Sequence, residues 1–487
     1  MVQAKAQSPD LPGDIAVLDV GKTNVKLSVV TATGYVVETL AVANPVLSGP
    51  PWRYHDLDSL GDWIFGSLAA LSAKHRLSAI VTTGHGSGGV MVGPDCASGD
   101  GSVLPMIDYE QALPEHIRDD YAPLSGSFFD RGSAMMLGAT HQARQMYWMQ
   151  REEPEAFGRA RWYLGIPQYW AWRFSGIAVS EVSFLGAQSH LWNVVEQDWS
   201  PIVKMMGWQR LMPPFAKAWQ IIGRIQPELA ERYDLPKGLK VLAGLHDSSA
   251  NFYRYQAARL TDLTVVSTGT WIVGLSDSTP LDSLNELRGM TLNSDVNGQV
   301  LGGALTMGGR EFTHMAGDSA DGPDADPAML HRLIERETMA LPSFGADDGL
   351  FPGSAQCGHI IGTPPQNSSE RKTLAVLYAA LLTSECLEAL DSRGLVVLDG
   401  SFLRDPLFAG LVAALRPGGK TFYSLENYGV AAGAAMLAGY HGRNDAAQIT
   451  LCRPEKVPGI SNLVAYATRW RSRATDNRIL KNLKGQL

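Results

Sequence analysis

The stretch that decides the fold is IAVLDVGKTNVKLSVV, which runs from Ile15 to Val30. Apolar residues stand on both sides of a short polar cluster that begins at Asp19 and ends at Lys26. The apolar runs predict two short strands, and Gly21 supplies the turn between them. A buried hairpin gains nothing from so polar a corner, so the cluster predicts a binding site.

The length and composition of the chain indicate a large α/β protein. Its 487 residues exceed the roughly 150 of an ordinary domain, so we expect two large domains with ample cores. A hydrophobic fraction of 45% with 50 Gly and 27 Pro is typical of a folded, turn-rich chain. The formal charge of −8 argues against nucleic acid as the main partner and favours a small ligand.

The cysteines and the apolar segments predict the cellular compartment. The four cysteines are scattered, without a CxxC pair or a metal-ligand spacing, which favours neither a disulfide framework nor a zinc site. The first residues lack the apolar core of a signal peptide, and no window reaches the ~20 apolar residues of a membrane span. We therefore expect a cytoplasmic protein without a membrane anchor, and a homodimer is one expectation for its assembly.

A second stretch, TVVSTGTWIVGLS from Thr264 to Ser276, repeats the layout of the first. In both stretches a small polar turn interrupts apolar residues. Each stretch is followed by a helical segment and then by a strand that enters a glycine-bearing loop. The alternative explanation for the similar layout is chance, or the turns that any α/β protein has between its strands and helices. Interpreted as an internal repeat, the layout predicts two related α/β halves that flank a central cleft, where ligands tend to bind. A Pro-Gly turn near Leu235 sets the predicted boundaries: a first domain over 12–243, a second over 244–470 and a basic tail over 471–487.

The two polar turns have the residues that a triphosphate requires. Glycine lets main-chain N–H groups approach phosphate without a Cβ collision, and neither turn has the spacing of a Walker loop. Either turn alone is more simply a hairpin corner, whereas the pair favours phosphate binding. Lys22 or Lys26 could offset phosphate charge, and the predicted donors are Gly21, Thr23, Asn24, Thr268, Gly269 and Thr270.

Two aspartates at the ends of apolar runs could supply the two carboxylates of a phosphoryl transfer, one near the metal ion and one as general base. Asp19 lies where a carboxylate can face a magnesium ion held by the phosphates, although an Asp at a strand end is often a turn cap. Asp247 begins a helical segment, where it is either a helix cap or the general base that takes the proton of an acceptor hydroxyl. His246 beside it is interpreted as an orienting or core residue and is counted with the substrate-binding set.

A sugar could be held by TTGHGSGGVMV, Thr82 to Val92, where small residues let a polyol approach the backbone near His85 and Gly86. A flexible surface turn is the alternative. Trp52 could form one wall of the same site. The aromatic segment WYLGIPQYWAWRF is interpreted mainly as a helix that packs into the core.

Taken in order, these motifs resemble those of the FGGY carbohydrate kinases, a family with the ribonuclease-H-like fold of actin-like and hexokinase-like ATPases. The resemblance extends from about Asp14 to Tyr440 and is carried by LDVGKTNVKL, GLHDSSA, STGTW, GLFPGSAQCG and ENYGVAAGAAMLAGY. It implies ATP and Mg²⁺ as cofactors, Asp247 as general base and Asp19 as the magnesium-associated carboxylate. The further nucleotide-binding residues in the predicted set are Gly309, Gly400, Ser401, Gly429 and Gly433.

The resemblance also implies the reaction and leaves the sugar open. A kinase of this family transfers the γ-phosphoryl group of ATP to a sugar hydroxyl, and the motifs are most similar to kinases of deoxyketohexoses such as L-fuculose and L-rhamnulose. The alternatives are a pentulose kinase, acting on xylulose or ribulose, and a catalytically inactive sugar-binding regulatory protein. One departure concerns nucleotide binding: LDGSFLRD places Asp399 and Phe402 where the family usually has glycines.

Overall fold

The protein, described here by a computed structural model, divides by its contacts into two compact units. The residues that the structure describes are 13–346, 349–426, 428–440 and 449–484. Among them, the first unit draws on residues 13–260, 292–300, 428–440 and 449. The second draws on residues 261–291, 301–346, 349–426 and 450–484. Each unit is therefore assembled from separate stretches of sequence.

This grouping differs from the linear boundaries predicted at residues 243 and 470. The helix that begins at Asp247 and the helix that begins at Gly429 both belong to the first unit, where they pack against each other. The sequence order alone assigned both to the second half. The predicted domain boundaries remain predictions about the two ligand-binding halves.

The strands include both hairpins that the sequence predicts. In chain order the strands are β1 (Asp14–Val20), β2 (Asn24–Val30), β3 (Val36–Ala43), β4 (Val46–Leu47), β5 (Tyr54–His55), β6 (Leu77–Gly84), β7 (Gly89–Val92), β8 (Trp162–Gly165), β9 (Trp192–Asn193), β10 (Asp198–Trp199), β11 (Ile221–Arg224), β12 (Lys240–Leu242), β13 (Leu245–His246), β14 (Leu263–Thr268), β15 (Ile272–Ser276), β16 (Thr291–Ser294), β17 (Val300–Thr306), β18 (Met339–Leu341), β19 (His359–Ile361), β20 (Leu395–Gly400) and β21 (Lys420–Tyr423).

The helices include several whose first turn is capped by the side chain of the preceding residue. They are α1 (Leu57–Ser72), α2 (Glu115–Tyr121), α3 (Phe128–Arg131), α4 (Gln142–Glu152), α5 (Pro154–Arg159), α6 (Ile166–Ser175), α7 (Val182–Leu185), α8 (Pro201–Met205), α9 (Pro227–Tyr233), α10 (Asp247–Ala257), α11 (Gly308–Ala316), α12 (Pro327–Glu335), α13 (Ser368–Ala389), α14 (Pro406–Ala414), α15 (Gly429–Met436) and α16 (Leu463–Lys484). The side chain of Asp56 caps α1, and that of Asn367 caps α13, each by accepting a main-chain N–H of the first turn. The two helical segments predicted after the hairpins are thus present.

The sheet of the first unit places β1 near its middle. Its strands lie in the order β11, β12, β6, β1, β2, β3, and β13 runs beside the end of β6. β1 is antiparallel to β2 but parallel to β6, and β6 is parallel to β12 and β13. Because the carboxyl ends of parallel strands meet at one edge of a sheet, the residues that follow β1, β6 and β13 lie close together.

Helices α1 and α6 cover the apolar residues of this sheet. Trp170 is fully buried and Trp172 is 2% exposed, within the same core cluster as Phe65 of α1 and Leu18 of β1. This burial confirms that the aromatic segment around α6 is core. Burying large aromatic side chains stabilises the layer that supports the strand ends.

The sheet of the second unit repeats the arrangement of the first. β14 is antiparallel to β15 and parallel to β20, β20 is parallel to β21, and β17 pairs with the outer side of β15. Thr268 lies opposite Gly400 where β14 and β20 end, as Val20 lies opposite Gly84 where β1 and β6 end. The predicted repetition of hairpin, helix and strand entering a loop is therefore confirmed.

Helix α10 is held against α15 by a contact that requires glycine. A Cβ atom at Gly433 would overlap the main-chain carbonyl of Ala250 and lie 3.3 Å from the Cβ of Arg254. The close approach of the two helices fixes α10 to the first unit. Since α10 begins at Asp247, this packing also sets the position of that carboxylate.

We predict that Gly433→Ala lowers the free energy of unfolding by about 1 to 3 kcal/mol, because the added methyl group meets main-chain atoms that cannot rotate away. The matched control is Gly66→Ala in α1, where an added Cβ meets no atom within 4 Å. That exchange should stabilise the protein by roughly 0.5 to 1 kcal/mol through helix propensity. Urea titration followed by tryptophan fluorescence measures both. Equal shifts for the two variants would contradict the packing role.

Candidate active site

The turn between β1 and β2 is a tight corner fastened from outside the hairpin. The Gly21 N–H donates to the Asn24 carbonyl oxygen at 3.0 Å, and a Cβ at Gly21 would lie 2.9 Å from that oxygen. Asn44 clamps the turn, because its side chain donates to the Gly21 carbonyl at 2.9 Å and its N–H donates to the Thr23 carbonyl at 2.8 Å. The side chains of Thr23 and Asn24 are exposed, as phosphate donors would have to be.

Asp19 lies one residue before the end of β1, opposite Lys26 of β2 and Thr83 of β6. Burial raises the pKa of the Asp19 carboxyl to about 7. The charge of Asp247 contributes to this rise, whereas that of Lys26 opposes it. Two carboxylates close enough to repel each other form a place where a divalent cation would be attracted.

Asp247 is the first residue of α10 and follows His246, which pairs with Gly84 at the end of β6. One carboxylate oxygen, Oδ1, accepts hydrogen bonds from the N–H and the hydroxyl of Ser248. The other, Oδ2, accepts none from the described residues, and the side chain is 26% exposed. Burial raises the pKa of Asp247 to about 6, against the opposing hydrogen bonds from Ser248. The carboxylate therefore has one anchored oxygen and one available oxygen.

The glycine-rich loop after β6 brings His85 to the same edge. The ring is 9% exposed, and neither of its nitrogens has a hydrogen-bond partner among the described residues. Burial lowers the pKa of His85 to about 3, so the ring is neutral near pH 7. Gly86 lies beside His246, since a Cβ there would be 3.2 Å from the His246 Nε2. An unpartnered buried ring of this kind suits a ligand that brings its own hydroxyl groups.

Two glutamines of α4, which the sequence did not indicate, hold this loop in place. The Gln142 side chain donates to the Gly86 carbonyl at 2.7 Å, and the Gln145 side chain donates to the Ser87 carbonyl at 2.8 Å. Both glutamines are fully buried. The predicted alternative of a flexible surface turn does not describe the loop, because its backbone is buried and bonded from a helix.

A second group that the sequence did not indicate surrounds Lys22. Its ammonium nitrogen lies 2.5 Å from Asp108 Oδ1, and Arg53 lies 2.6 Å from Asp108 Oδ2, with the Asp108 side chain fully buried. Lys22 also lies 5.7 Å from the centre of the Tyr109 ring, which in turn packs on His85 at 5.2 Å. Lys22 thus has a carboxylate partner on the His85 side, and its predicted contact with phosphate remains a prediction.

The turn between β14 and β15 is joined to the loop after β20. The Thr268 hydroxyl donates to the Asp399 carbonyl at 2.8 Å and accepts the N–H of Phe402 at 3.2 Å. Gly400 has φ +98°, a left-handed conformation, and a Cβ there would overlap main-chain atoms of Thr268. The Ser401 hydroxyl donates to the Thr268 carbonyl at 3.3 Å. The predicted residues on this side converge as expected.

A cavity of about 600 Å³ opens beside this junction in the second unit. Its size falls within the range of small-molecule sites. Aromatic rings lie on one side, with Phe402 at 5.4 Å from Phe312, and Lys372 lies 5.2 Å from the Phe312 ring. The four predicted residues that line it are Gly269, Thr270, Gly309 and Ser401. Phe402, which departs from the family pattern, therefore forms part of the wall and does not fill the space.

Three of the predicted ligand contacts have packing environments. Gly433 faces Ala250 of the first unit, and neither it nor Gly429 is among the residues that line the cavity of the second unit. Trp52 is 4% exposed, donates its indole N–H to the Pro105 carbonyl at 2.9 Å and packs on another indole. The ligand-binding roles of all three remain predictions, and packing contacts already explain the identities of Gly433 and Trp52.

Comparison with known proteins places the chain in a family. The model of the FGGY family of carbohydrate kinases, N-terminal domain, matches residues 15–252, and that of the carbohydrate kinase FGGY C-terminal domain matches residues 260–447. The chain therefore belongs to the FGGY family of carbohydrate kinases. The predicted family resemblance is confirmed.

Relatives and a solved structure agree with this placement. The chain is 25% identical to the L-fuculokinase of Salmonella typhi over 58% of its own length and 60% of the relative's, and 28% identical to the xylulose kinase of Escherichia coli (strain K12) over 48% of each. It thus spans about half to three fifths of these curated relatives. A carbohydrate kinase from Novosphingobium aromaticivorans is 30% identical, with a TM-score of 0.83 over 95% of this chain and 98% of that one.

The structural similarity confirms the predicted fold class, two α/β domains of the ribonuclease-H-like, actin-like ATPase fold. Each unit contributes one such sheet with its hairpin. Across the described residues, none of the helices combines the length and the apolar character needed to cross a membrane.

We predict that Lys22→Met lowers the free energy of unfolding by about 1 to 3 kcal/mol, because it takes a charged partner from the buried Asp108 carboxylate. The matched control, Lys26→Met, changes an exposed lysine of the same hairpin and should stay within about 0.5 kcal/mol of the wild type. Urea titration measures the difference. If both variants unfold alike, the buried ion pair does not stabilise the first unit.

Proposed function

We propose that the protein is an ATP-dependent sugar kinase that transfers the γ-phosphoryl group to a hydroxyl of a ketose. The observation that carries the proposal is the environment of Asp247, a partly buried carboxylate with one anchored and one available oxygen at the edge where β1, β6 and β13 end. The available Oδ2 accepts the proton of the sugar hydroxyl while the oxygen of that hydroxyl forms its bond to the γ-phosphorus of ATP.

The first unit offers the sugar side of the proposed reaction. Neutral His85 has two ring nitrogens without hydrogen-bond partners in the part of the chain that the structure describes, one able to donate and one able to accept a hydrogen bond. Gly86, the next residue of the same loop, lies beside His246. Sugar hydroxyl groups both donate and accept, so they match this pair of unused nitrogens and orient the acceptor toward Asp247.

The second unit offers the nucleotide side. The fit to a nucleotide rests on a cavity of about 600 Å³ with glycine and hydroxyl residues at its base and aromatic rings beside them. Gly269, Thr270 and Gly309 would lie by the phosphates, because main-chain N–H groups and hydroxyls are the donors that phosphates need. Thr23 and Asn24, which are exposed in the first unit, remain predicted phosphate donors.

Asp19 is the proposed magnesium-associated carboxylate. Its fit to a cation rests on the raised pKa and on the nearby charge of Asp247, which a divalent ion would offset. No group of three or more His, Cys, Asp and Glu side chains that could hold a metal occurs in the described ranges. Mg²⁺ suits such a sparse site, since it commonly binds through one or two carboxylates, water and phosphate, and it would neutralise phosphate charge.

We propose a deoxyketohexose, L-fuculose or L-rhamnulose, as the substrate, with a pentulose as the alternative. The two relatives are named for L-fuculose and xylulose, and their identities of 25% and 28% do not separate these sugars. A cytoplasmic location and a homodimer are further parts of the proposal.

The decisive experiment measures ADP release with fuculose, rhamnulose, ribulose and xylulose, ranked by kcat/KM. Asp247→Asn should lower kcat by roughly 10² to 10⁴-fold, because the amide cannot accept the hydroxyl proton. The exposed Asp234 of the same unit gives a matched control, Asp234→Asn, which should keep full activity. Sugar binding without ADP release from the wild type would favour the regulatory-protein alternative, and ADP release that no sugar stimulates would favour a bare ATPase.

The rate should also depend on pH through the same carboxylate. Since the pKa of Asp247 is raised to about 6 and the base must be ionised, kcat/KM for the sugar should be constant above about pH 7 and fall about tenfold per pH unit below about pH 5. Buried histidines such as His141 and His190 have lowered pKa values and take up protons on unfolding, so stability also falls below about pH 6.5. Recovery of full activity on return to pH 7.5 separates titration from unfolding. A flat profile down to pH 5 would contradict Asp247 as base.

A further inference from the structure

The imidazole of His246 links Asp247 to the interior of the first unit. Its Nε2 lies 3.1 Å from Asp247 Oδ1, and its Nδ1 lies 3.2 Å from the hydroxyl of Ser249. That hydroxyl lies 3.0 Å from the Ser294 carbonyl, to which it can donate. The ring is 5% exposed, Ser249 is 1% exposed and Ser294 is fully buried. The arrangement is therefore a buried chain of hydrogen-bonding groups that ends on one oxygen of the carboxylate.

All the contacts to the Asp247 carboxylate converge on that oxygen. Oδ1 faces the N–H and hydroxyl of Ser248 together with the His246 Nε2, while Oδ2 faces no hydrogen-bonding group among the described residues. A carboxylate held in this way cannot rotate to exchange its two oxygens without losing three contacts. The free oxygen is thereby kept in one orientation.

We propose that His246 is a positioning residue that donates its Nε2 proton to Asp247 Oδ1 and so keeps Oδ2 directed at the acceptor hydroxyl. This inference rests on the proposed kinase function and assigns His246 to the base, not to the sugar. It differs from the substrate-binding role predicted from the sequence.

The hydrogen-bonding capacities of the groups support this direction of donation. Burial keeps the His246 ring neutral by lowering its pKa to about 3, so it carries one proton. If that proton were on Nδ1, the lone pair of Nε2 would face an ionised oxygen at 3.1 Å, which is repulsive. With the proton on Nε2, Ser249 donates its single hydroxyl proton to Nδ1 at 3.2 Å in place of the Ser294 carbonyl at 3.0 Å, and the charge-assisted contact with Asp247 offsets this exchange.

Two substitutions at one position test the contact. In His246→Gln the side-chain amide reaches the place of Nε2 and can still donate to Asp247, whereas in His246→Asn it reaches only the place of Nδ1, beside Ser249. We expect the Gln variant to stay within a few-fold of wild-type kcat, and the Asn variant to lose roughly ten- to hundredfold in kcat through misplacement of the base. The KM for the sugar should change little in both.

Three kinetic results would overturn the assignment. Equal losses of kcat in the Gln and Asn variants would indicate a purely structural residue. A higher sugar KM with unchanged kcat would indicate a sugar ligand. Ser249→Ala keeps the His246 ring and removes the hydroxyl beside its Nδ1, and we expect it to lower kcat by a smaller factor than His246→Asn. An unchanged kcat in Ser249→Ala would also count against the series of hydrogen-bonding groups behind Asp247.

A measurement without turnover separates this inference from the proposed function. In protein with ¹⁵N-labelled histidine at pH 7.5, the ring signals of His246, identified by their loss in His246→Gln, should show a protonated Nε2 and an unprotonated Nδ1. The opposite tautomer would overturn the donation to Asp247. If the wild type releases no ADP with any ketose, the kinase proposal fails, and the tautomer still decides the contact.

Discussion

The structure of the candidate site depends on the parallel register of three strands. Val20, Gly84 and His246 lie in one row because β1 and β13 both pair in parallel with β6. The row brings Asp19, the His85 loop and the start of α10 to one edge, although 228 residues separate Asp19 from Asp247 (247 − 19). A slip of two residues in either pairing would move one carboxylate by about 7 Å along its strand and separate the groups.

The same parallel pairing, which aligns the ends of neighbouring strands, recurs in the second unit, but different residue types lie at the strand ends. There the row ends in Thr268 and Gly400, and the edge carries glycines and hydroxyls where the first unit carries carboxylates and a histidine. The repetition supplies two equivalent frames, and the residues placed at each strand end decide what the frame can bind. The first suits proton transfer, while the second suits an anionic ligand.

Local sequence pattern predicted the parts of this structure that arise from neighbouring residues. Both hairpins, the helix that begins at Asp247 and the buried aromatic helix α6 follow from apolar spacing and glycine turns. The residues that converge on Thr268 were also predicted, because each lies at the end of a strand. Strand ends are therefore the features that a single sequence reports best.

Pairings across long distances in the chain could not be predicted in this way. Lys22 meets Asp108, and the His85 loop is held by Gln142, but no periodicity connects such residues. The family resemblance assigned Gly433 to the nucleotide site, and the structure adds a close contact with Ala250 that the sequence did not indicate. In these cases the partner, and not the local pattern, explains the residue.

The packing of α15 on α10 has a consequence for the order of events during biosynthesis. The first unit takes residues 428–440 from a late part of the chain, after most of the second unit has been made. The ribosome must therefore release residues beyond Met436 before α10 gains its covering helix and the nascent first unit can close. Until then the apolar layer around α10 is incomplete, and a chaperone would prevent the exposed apolar residues from aggregating.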